Sequence, residues 1–379
     1  MKKIIVLAIV VSLVLIASSQ DSFEDYMAEQ NQQQSDYGNQ QNKAYQNYHQ
    51  EQDSLFIQYK EQIEKLWNEF KESTPKKWIT YNENFTGRSE VSFEEGDITV
   101  DAVVDSDADQ DEAKEIIKKQ LISIMEEKDS TEKPILADQV KNPIDPEKVL
   151  SADNIEKLAE KIVDNAKKTT ITGSDDQTRV KFSISLELIP DHVRKRAEKY
   201  TPIIEDYCQE YKVDASLALA IAHTESYFNP KAYNRHGNAY GMMQIVPKYA
   251  GLTMNNFLFK KNSKPSSRDL FNPDINLHMG IAYLRWLADN KWNRVKNHTN
   301  QMYCMICSYN GGPGTIYKAM TGRMNNIGDK SWNKMFDDLS TMDNKKLFQK
   351  LRKDVPYEET RNYIKKVVEK MTNEYAMKG

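Results

Sequence analysis

Between 179 and 189 the chain alternates strictly. Val180, Phe182, Ile184, Leu186 and Leu188 are apolar, and Lys181, Ser183, Ser185 and Glu187 stand between them. Successive side chains of a strand point to opposite faces, so this run predicts a half-buried strand. Pro190 ends it, because proline cannot donate to a ladder. From about 191 onward the apolar spacing is helical almost throughout, broken by Gly/Asn/Pro loops at 229–241, 261–276 and 310–314. This change of period divides the chain into a small α+β domain, 54–195, and an all-helical domain, 196–379.

Within the first of these, Leu55, Phe56, Tyr59, Ile63, Leu66, Trp67 and Phe70 recur at helical spacing and predict a helix over 54–75. Residues 78–81 read as a strand. Val91, Phe93, Ile98 and Val100 alternate on either side of Glu95-Gly96-Asp97, the pattern of a hairpin. An acidic stretch at 105–112 precedes a helix carrying Ile116, Ile117, Leu121, Ile124 and Met125. It lacks the glycine and closing glutamate of an EF-hand. Acidic residues at a helix start complement the helix dipole instead.

The N-terminus speaks to location. Lys2 and Lys3 precede an apolar run over 4–16 that only Ser12 interrupts, and Ala17, Ser18 and Ser19 follow. This is the layout of a secretory signal peptide over 1–19. An uncleaved membrane anchor is the alternative, although the run is shorter than the roughly 20 residues of a spanning helix. The first cysteine is Cys208, so no lipid acceptor follows the run. The expectation is an exported protein of the periplasm or cell envelope without an N-terminal lipid. Residues 29–53 are rich in Gln, Asn and Tyr and nearly free of aliphatic side chains. Such a stretch cannot bury enough apolar surface to offset chain entropy, and 20–53 is expected to be a disordered spacer.

With 52 Lys and Arg against 56 Asp and Glu, the chain lacks the strongly basic balance of a nucleic-acid binder. Three cysteines in an exported chain leave at least one unpaired within it. Cys304 and Cys307 form a C-x-x-C inside the apolar run MYCMICSY, where thiols pack as small core residues. No second pair stands at metal spacing. His223, His236 and His278 do not form an i,i+4 pair with a third ligand. No metal and no cofactor is expected.

The chemistry concentrates in 213–247. Asp214 is a good N-cap for the helix that follows. Leu217, Ile221 and Glu225 are spaced four apart and share a helix face. Burial beside that apolar stripe would disfavour the charged carboxylate and raise its pKa, as a general acid near neutral pH requires. A frayed helix end with Glu225 turned to water fits the helix pattern equally well.

Four motifs then occur in order. Glu225-Ser226 with Asn229-Pro230, followed by Gly241-Met242-Met243-Gln244, resembles the first two motifs of the family 1 lytic transglycosylases, whose catalytic domain is soluble-lytic-transglycosylase-like. Ser308-Tyr309-Asn310-Gly311-Gly312 resembles that family's Ala-Tyr-Asn-Gly-Gly. Residues 356–363, with Glu359, Thr360 and Tyr363, resemble its Pro-x-x-Glu-Thr-x-x-Tyr. Each motif alone is a weak signal; four in order across 213–370 are specific. Stretches 77–104, 171–200 and 263–276 further resemble the membrane-bound lytic transglycosylase C branch, extending the likeness to about 60–370. That branch carries an N-terminal lipid, and the missing acceptor cysteine is where this chain departs from it.

The resemblance implies an α+β domain followed by an all-helical, goose-type lysozyme-like catalytic domain. It implies cleavage, without water, of the β-1,4 bond between N-acetylmuramic acid and N-acetylglucosamine in peptidoglycan, leaving a 1,6-anhydromuramyl end. Glu225 would be the catalytic acid and base. Tyr363 would orient it, with Ser226 as further support. Gln244, Tyr309, Asn310 and Glu359 would contact the substrate, a structural ion pair being the alternative for Glu359. Gly311 and Gly312 would leave room for the glycan, and Met242 and Met243 would line either groove or core. Where the family often has serine, nine residues after the glutamate, this chain has Asn234, which implies an altered substrate contact. The N-terminal domain would either extend the groove or hold partners such as other cell-wall enzymes. The alternatives are a lysozyme-like hydrolase using the same glutamate with water, and an inactive peptidoglycan-binding scaffold.

Overall fold

The computed structural model describes residues 53–323 and 330–376. The predicted signal peptide, and the predicted spacer up to residue 52, lie outside the described residues. The chain divides into two compact units, Met1–Lys65 and Leu66–Gly379. In the first, residues 53–65 are helical throughout (α1). The helix expected to reach 75 stops at 66. Trp67 explains why: it is fully buried, its indole N–H donates to the Phe85 carbonyl at 2.6 Å, and the Arg88 guanidinium lies 4.3 Å over its ring. Pro75 further biases the residue before it away from helix.

The second unit opens with a five-stranded antiparallel sheet ordered β1-β2-β3-β7-β6. Its strands are β1 (Lys77–Tyr81), β2 (Gly87–Ser92), β3 (Asp97–Asp105), β6 (Lys167–Thr172) and β7 (Thr178–Glu187). Two short strands, β4 (Val140–Lys141) and β5 (Val149–Leu150), pair separately. The expected hairpin turns at 93–96 between β2 and β3, and the alternating run is β7. Register places Ile98 opposite Leu186, Val100 opposite Ile184 and Ala102 opposite Phe182, all buried. Helices α2 (Gln110–Glu126) and α3 (Ala152–Val163) contribute Ile117, Leu121, Ile155 and Ala159 to the same core. Burying each large side chain there contributes roughly 1.5–3 kcal/mol. On the opposite face Arg88 and Asp101 form a buried ion pair at 2.8 Å, and the Ser183 hydroxyl donates to the free Asp101 oxygen at 2.6 Å.

Helices then follow one another: α4 (His192–Tyr211), α5 (Ala215–Ser226), α6 (Leu252–Phe259), α7 (Ser267–Leu270), α8 (Pro273–Asn290), α9 (His298–Gly311), α10 (Gly314–Thr321), α11 (Lys330–Thr341), α12 (Asn344–Asp354) and α13 (Glu358–Asn373). The loop expected over 261–276 is shorter than predicted, since α7 forms within it and α8 begins at Pro273. Asn272 accepts from the Asp274 and Ile275 amides and Pro273 takes the first helical position, where its missing N–H costs nothing. Cys208, Cys304 and Cys307 are all free thiols packed in this helical core.

Two hydrophobic clusters result, one drawn from residues between Trp78 and Leu188, the other from residues between Ala197 and Val367. Arg196 sits where they meet and is 1% exposed. Its guanidinium donates to the carbonyls of Tyr227 (2.9 Å) and Phe93 (2.9 Å) and to the Gln139 amide oxygen (2.7 Å), and lies 4.7 Å over the Phe93 ring. Burial lowers its pKa to about 9. It ties the β2–β3 turn to the end of α5, the helix that carries Glu225.

Candidate active site

Asp214 caps α5 as expected, accepting from the Ser216 amide at 2.8 Å. The helix is not striped, however. Every residue from 215 to 223 is buried, because α5 runs through the middle of the helical core. After Ser226 the chain turns through two left-handed residues, Tyr227 (φ 54°) and Phe228 (φ 58°). Such residues cost roughly 1–3 kcal/mol each. Full burial of Phe228 and the bond from the Lys231 amide to Asn229 Oδ1 (2.9 Å) hold the turn. Glu225 is thereby left on the last turn, facing a cavity of about 370 Å³.

The carboxyl is oriented by one phenol. Tyr363 Oη, from α13, donates to Glu225 Oε1 at 2.7 Å. Burial raises the Glu225 pKa to about 7. The Tyr363 hydrogen bond opposes this and the Glu359 charge adds to it. Burial also pushes the Tyr363 phenol well above its ordinary value, so it stays a donor.

The loop 241–244 forms the adjoining wall and is clamped from three helices. Asn276, buried on α8, accepts from the Met243 amide at 2.8 Å and donates to the Tyr240 (2.8 Å) and Leu270 (2.9 Å) carbonyls. Tyr309 Oη donates to the Met243 carbonyl at 2.8 Å. Ser226 Oγ donates to the Met242 carbonyl at 2.8 Å. Gly241 has φ +72°, and a Cβ there would stand 2.3 Å from both Asn276 Nδ2 and the Leu270 carbonyl oxygen. No other residue fits. Gln244 ends the loop in the left-handed region (φ 47°). Its Nε2 donates to the Gly241 carbonyl at 2.9 Å, and its Oε1 is buried with no hydrogen-bond partner among the described residues. An unmet acceptor in a cavity wall is costly unless a donor arrives.

Across the cavity, Thr360 Oγ1 donates to Asn310 Oδ1 at 2.6 Å and Asn310 Nδ2 donates to Glu359 Oε1 at 3.1 Å. The Glu359 carboxylate, which can only accept, assigns the Asn310 amide, leaving its oxygen to accept from Thr360. Asn234 also lines this cavity, and its Oδ1 is taken by the Gly237 amide at 2.9 Å. A second cavity of about 360 Å³ shares Gln244 and Asn310 with the first and adds Tyr249, Tyr283 and Tyr309. Together they make a groove lined by amides and aromatic rings.

Most of the expected residues thus face one groove, with corrections at Ser226 and Gly311, while the alternatives left open for Met242, Met243 and Glu359 are decided. Ser226 is fully buried and holds the 241–244 loop rather than the Glu225 carboxyl. Adjacent helix positions point about 100° apart, so 226 faces the core when 225 faces the cavity. Met242 and Met243 are core, both fully buried. Gly311 lines the second cavity, but the space of its missing side chain is taken by α13: a Cβ would meet Thr360 Oγ1 at 2.6 Å. The Glu359 carboxylate is bonded by the neutral Asn310 rather than by a cation. Of the histidines, His223 is buried against Lys370 and Tyr375, and its pKa is lowered to about 3 by burial first and nearby cations second. His278 stacks on Tyr207, and His236 is exposed.

Three groups of residues were missed. Thr360 lay inside a motif and was given no role. Asn276 and Gly280 are small or polar positions on the otherwise apolar inner face of α8, a signal the period carries. Thr74, Pro75 and Lys76 line the Glu225 cavity from 150 residues upstream, and no local pattern marks them. Asn229 Nδ2 donates to the Pro75 carbonyl at 3.1 Å, which places this strip and gives the Asn-Pro motif a structural task.

Comparison with known proteins gives the family. Residues 202–331 match the family model described as the transglycosylase SLT domain, and 40–199 match that of the membrane-bound lytic murein transglycosylase C N-terminal domain. The protein called membrane-bound lytic murein transglycosylase C in Sodalis glossinidius is 30% identical over 299 residues, covering 76% of this chain and 79% of that protein. The chain belongs to the membrane-bound lytic murein transglycosylase C family. The family member from Salmonella arizonae is also 30% identical, over 76% of this chain and 78% of its own length. That from Yersinia pestis is 38% identical over 185 residues, 48% of this chain and 49% of that one. The crystal structure of the 70 kDa soluble lytic transglycosylase of Escherichia coli is similar at 25% identity and a TM-score of 0.35, over 48% of this chain and 25% of that one. This chain therefore spans about a quarter of that protein's length. Among the described residues no helix is long and apolar enough to cross a membrane.

Proposed function

We propose that this member of the lytic murein transglycosylases cuts peptidoglycan strands between N-acetylmuramic acid and N-acetylglucosamine with Glu225 as its single acid and base. The carrying observation is one enclosed carboxyl, held by Tyr363, beside a groove in which the other lining carboxylate, Glu359, is engaged by an amide. With a pKa of about 7, Glu225 carries a proton near neutrality. It gives that proton to the glycosidic oxygen as the bond to the muramyl C1 breaks. The C6 hydroxyl of the same sugar closes on C1 and returns its proton to Glu225, so the enzyme ends as it began. Most glycosidases need a second carboxylate for water or covalent attack. An internal nucleophile is already tethered to the reacting ring, and tethering supplies the proximity a second group would otherwise arrange.

In this reading Gln244 Oε1 waits for a donor such as an acetamido N–H, and Asn310, Asn234 and Glu359 meet sugar hydroxyl and acetamido groups. Tyr309 bounds a sugar ring in the second cavity, and Ser226 acts at one remove by fixing the loop. Residues 54–195 and 196–379 act as two domains that build one groove. The enzyme works outside the cytoplasm, in the cell envelope; the signal-like N-terminal sequence and the membrane-bound relatives support this. Mass spectrometry of purified sacculi digested by the full chain tests the chemistry. Anhydromuramyl ends are expected. Reducing ends in their place would make the enzyme a hydrolase, and uncut sacculi would leave a binding scaffold.

A further inference from the structure

The cavity around Glu225 is unequal along its length. Helix α13 supplies Glu359, Tyr363 and Lys366 to its wall, and the strip before β1 supplies Lys76. Beyond Tyr363, away from Asn310 and Glu359, the lining charges are the ammonium groups of Lys76 and Lys366. Lys366 follows Tyr363 by three residues, a rise of roughly 4.5 Å along the helix. It therefore stands about one turn from the phenol that holds the acid.

These ammonium groups belong to one neighbourhood. Lys76 bonds Glu94 at 2.5 Å and lies 5.1 Å over the Tyr227 ring, with Lys370 5.4 Å from the same ring. Burial holds Lys370 below the ordinary lysine value; Glu374 opposes this, and Lys76 and Lys366 add to it. Burial also raises Glu94, but its bonds from Lys76 and Tyr227 and the charge of Lys366 outweigh that and leave it below the usual range. Lys76 and Lys370 have ion-pair partners, Glu94 and Glu374. Lys366 is exposed and has no ion-pair partner among the described residues.

We propose that Lys366, flanked by Lys76, is a specificity-determining contact for the acidic peptide stem that muramic acid carries, so that the enzyme prefers peptide-bearing strands. The inference rests on the transglycosylase reading above. In that reading the muramyl residue provides the carbon at the scissile bond. Its lactyl-linked stem then leaves the strand within a sugar's width of Glu225, and the stem's free carboxylates reach the wall where the unpaired ammonium stands. A cation at this place does nothing for an uncharged glycan. An exposed ion pair of this kind is worth little in absolute terms, enough to grade substrates rather than to drive binding.

The test compares glycan strands that keep their stems with strands stripped of them by an amidase, whose freed lactyl carboxylates are then capped as methylamides so that the glycan is uncharged, using the full chain. The ratio of kcat/KM for the two substrates is expected to fall about three- to fivefold in Lys366→Ala and about tenfold in Lys366→Glu, where attraction becomes repulsion. Lys366→Arg should restore it. The wild-type ratio should shrink in high salt as screening shortens the reach of charge. Equal losses on both substrates, or none on either, overturn the proposal. Binding of stem-bearing strands to Glu225→Gln protein gives a second readout that needs no cleavage. Weaker binding when Lys366→Glu is added supports the stem contact, and unchanged binding sinks it, whether or not the wild-type protein cuts. Failure of the wild type on both substrates overturns the transglycosylase reading instead.

Discussion

Strand β7 buries one face and helix α5 buries nearly all of them. The strand's wet side makes its period visible: Phe182, Ile184 and Leu186 are buried while Ser185 and Glu187 are exposed. The helix has almost no wet side, so its sequence shows little amphipathic contrast. The difference matters for chemistry. A carboxyl on a one-sided element keeps water and stays ionised near its ordinary value. One at the end of an element enclosed by the core loses much of its water: Glu225 is only partly exposed, at the cavity, and its pKa climbs to about 7. The sheet part of the molecule is therefore built for packing, and the helical part for holding one acid proton.

The largest expected effect tests the enclosed side of this contrast. Glu225→Gln should lower strand cleavage by roughly 10²–10⁴-fold, the usual size of a general acid–base contribution, with the fold intact by circular dichroism. Stability should move the other way. The folded pKa of Glu225 stands above its ordinary 4.5. Its contribution is therefore full below that value and lost as pH rises through about 7. The glutamine variant should melt higher than wild type at pH 8 and level with it at pH 4; a difference that grows toward acid would contradict the buried-acid account. The wild-type rate should fall above about pH 7 as the acid loses its proton.

The packing side is tested by Phe182→Ala, expected to cost roughly 3–5 kcal/mol in urea unfolding. Its turnover in the cold should change far less than that of Glu225→Gln. If the cleavage rates fall equally, sheet and helical parts are not separable in this way. Tyr363→Phe removes a bond to the charged acid worth roughly 1.5–3 kcal/mol, or about 10–100-fold in rate. Because that bond lowers the Glu225 pKa, the alkaline limb of the pH profile should move up. A limb that stays put or moves down would mean Tyr363 does not govern the proton. The smallest effect is expected for Asn234→Ala, a few-fold rise in KM with kcat held. Asn234 Oδ1 is already spent on the Gly237 amide, leaving only its NH₂ for a sugar.

Much of this was legible along the chain, and the failures are instructive. The alternation over 179–189 became β7, the turn at Gly96 became the β2–β3 hairpin, and Asp214 caps α5. These are local devices whose signals lie within a few residues of one another. The motifs brought Glu225, Gln244, Asn310 and Tyr363 to one cavity. Helix α1 was drawn too long because Trp67 continues the helical spacing while a distant carbonyl claims its indole. Ser226 was given the wrong neighbour because sequence adjacency is not facial adjacency on a helix. Nothing in the local pattern marks Arg196, on α4, as buried. Burying a guanidinium needs acceptors on several sides, and those came from Phe93, Gln139 and Tyr227.

By itself the sequence determined strand β7, the β2–β3 hairpin and the change to helical spacing near 190, which family's motifs the chain carries, and that Glu225 ends a helix. Periodicity and capping are short-range, and motifs are read in order. It left open how far Glu225 is shielded from water. Only the tertiary structure decided that, by enclosing α5 on nearly every side and bringing Tyr363 to the carboxyl from 138 residues away. It also decided that residues 74–76 stand at the edge of the cavity. Desolvation depends on everything around a group at once, and no stretch of chain carries that sum.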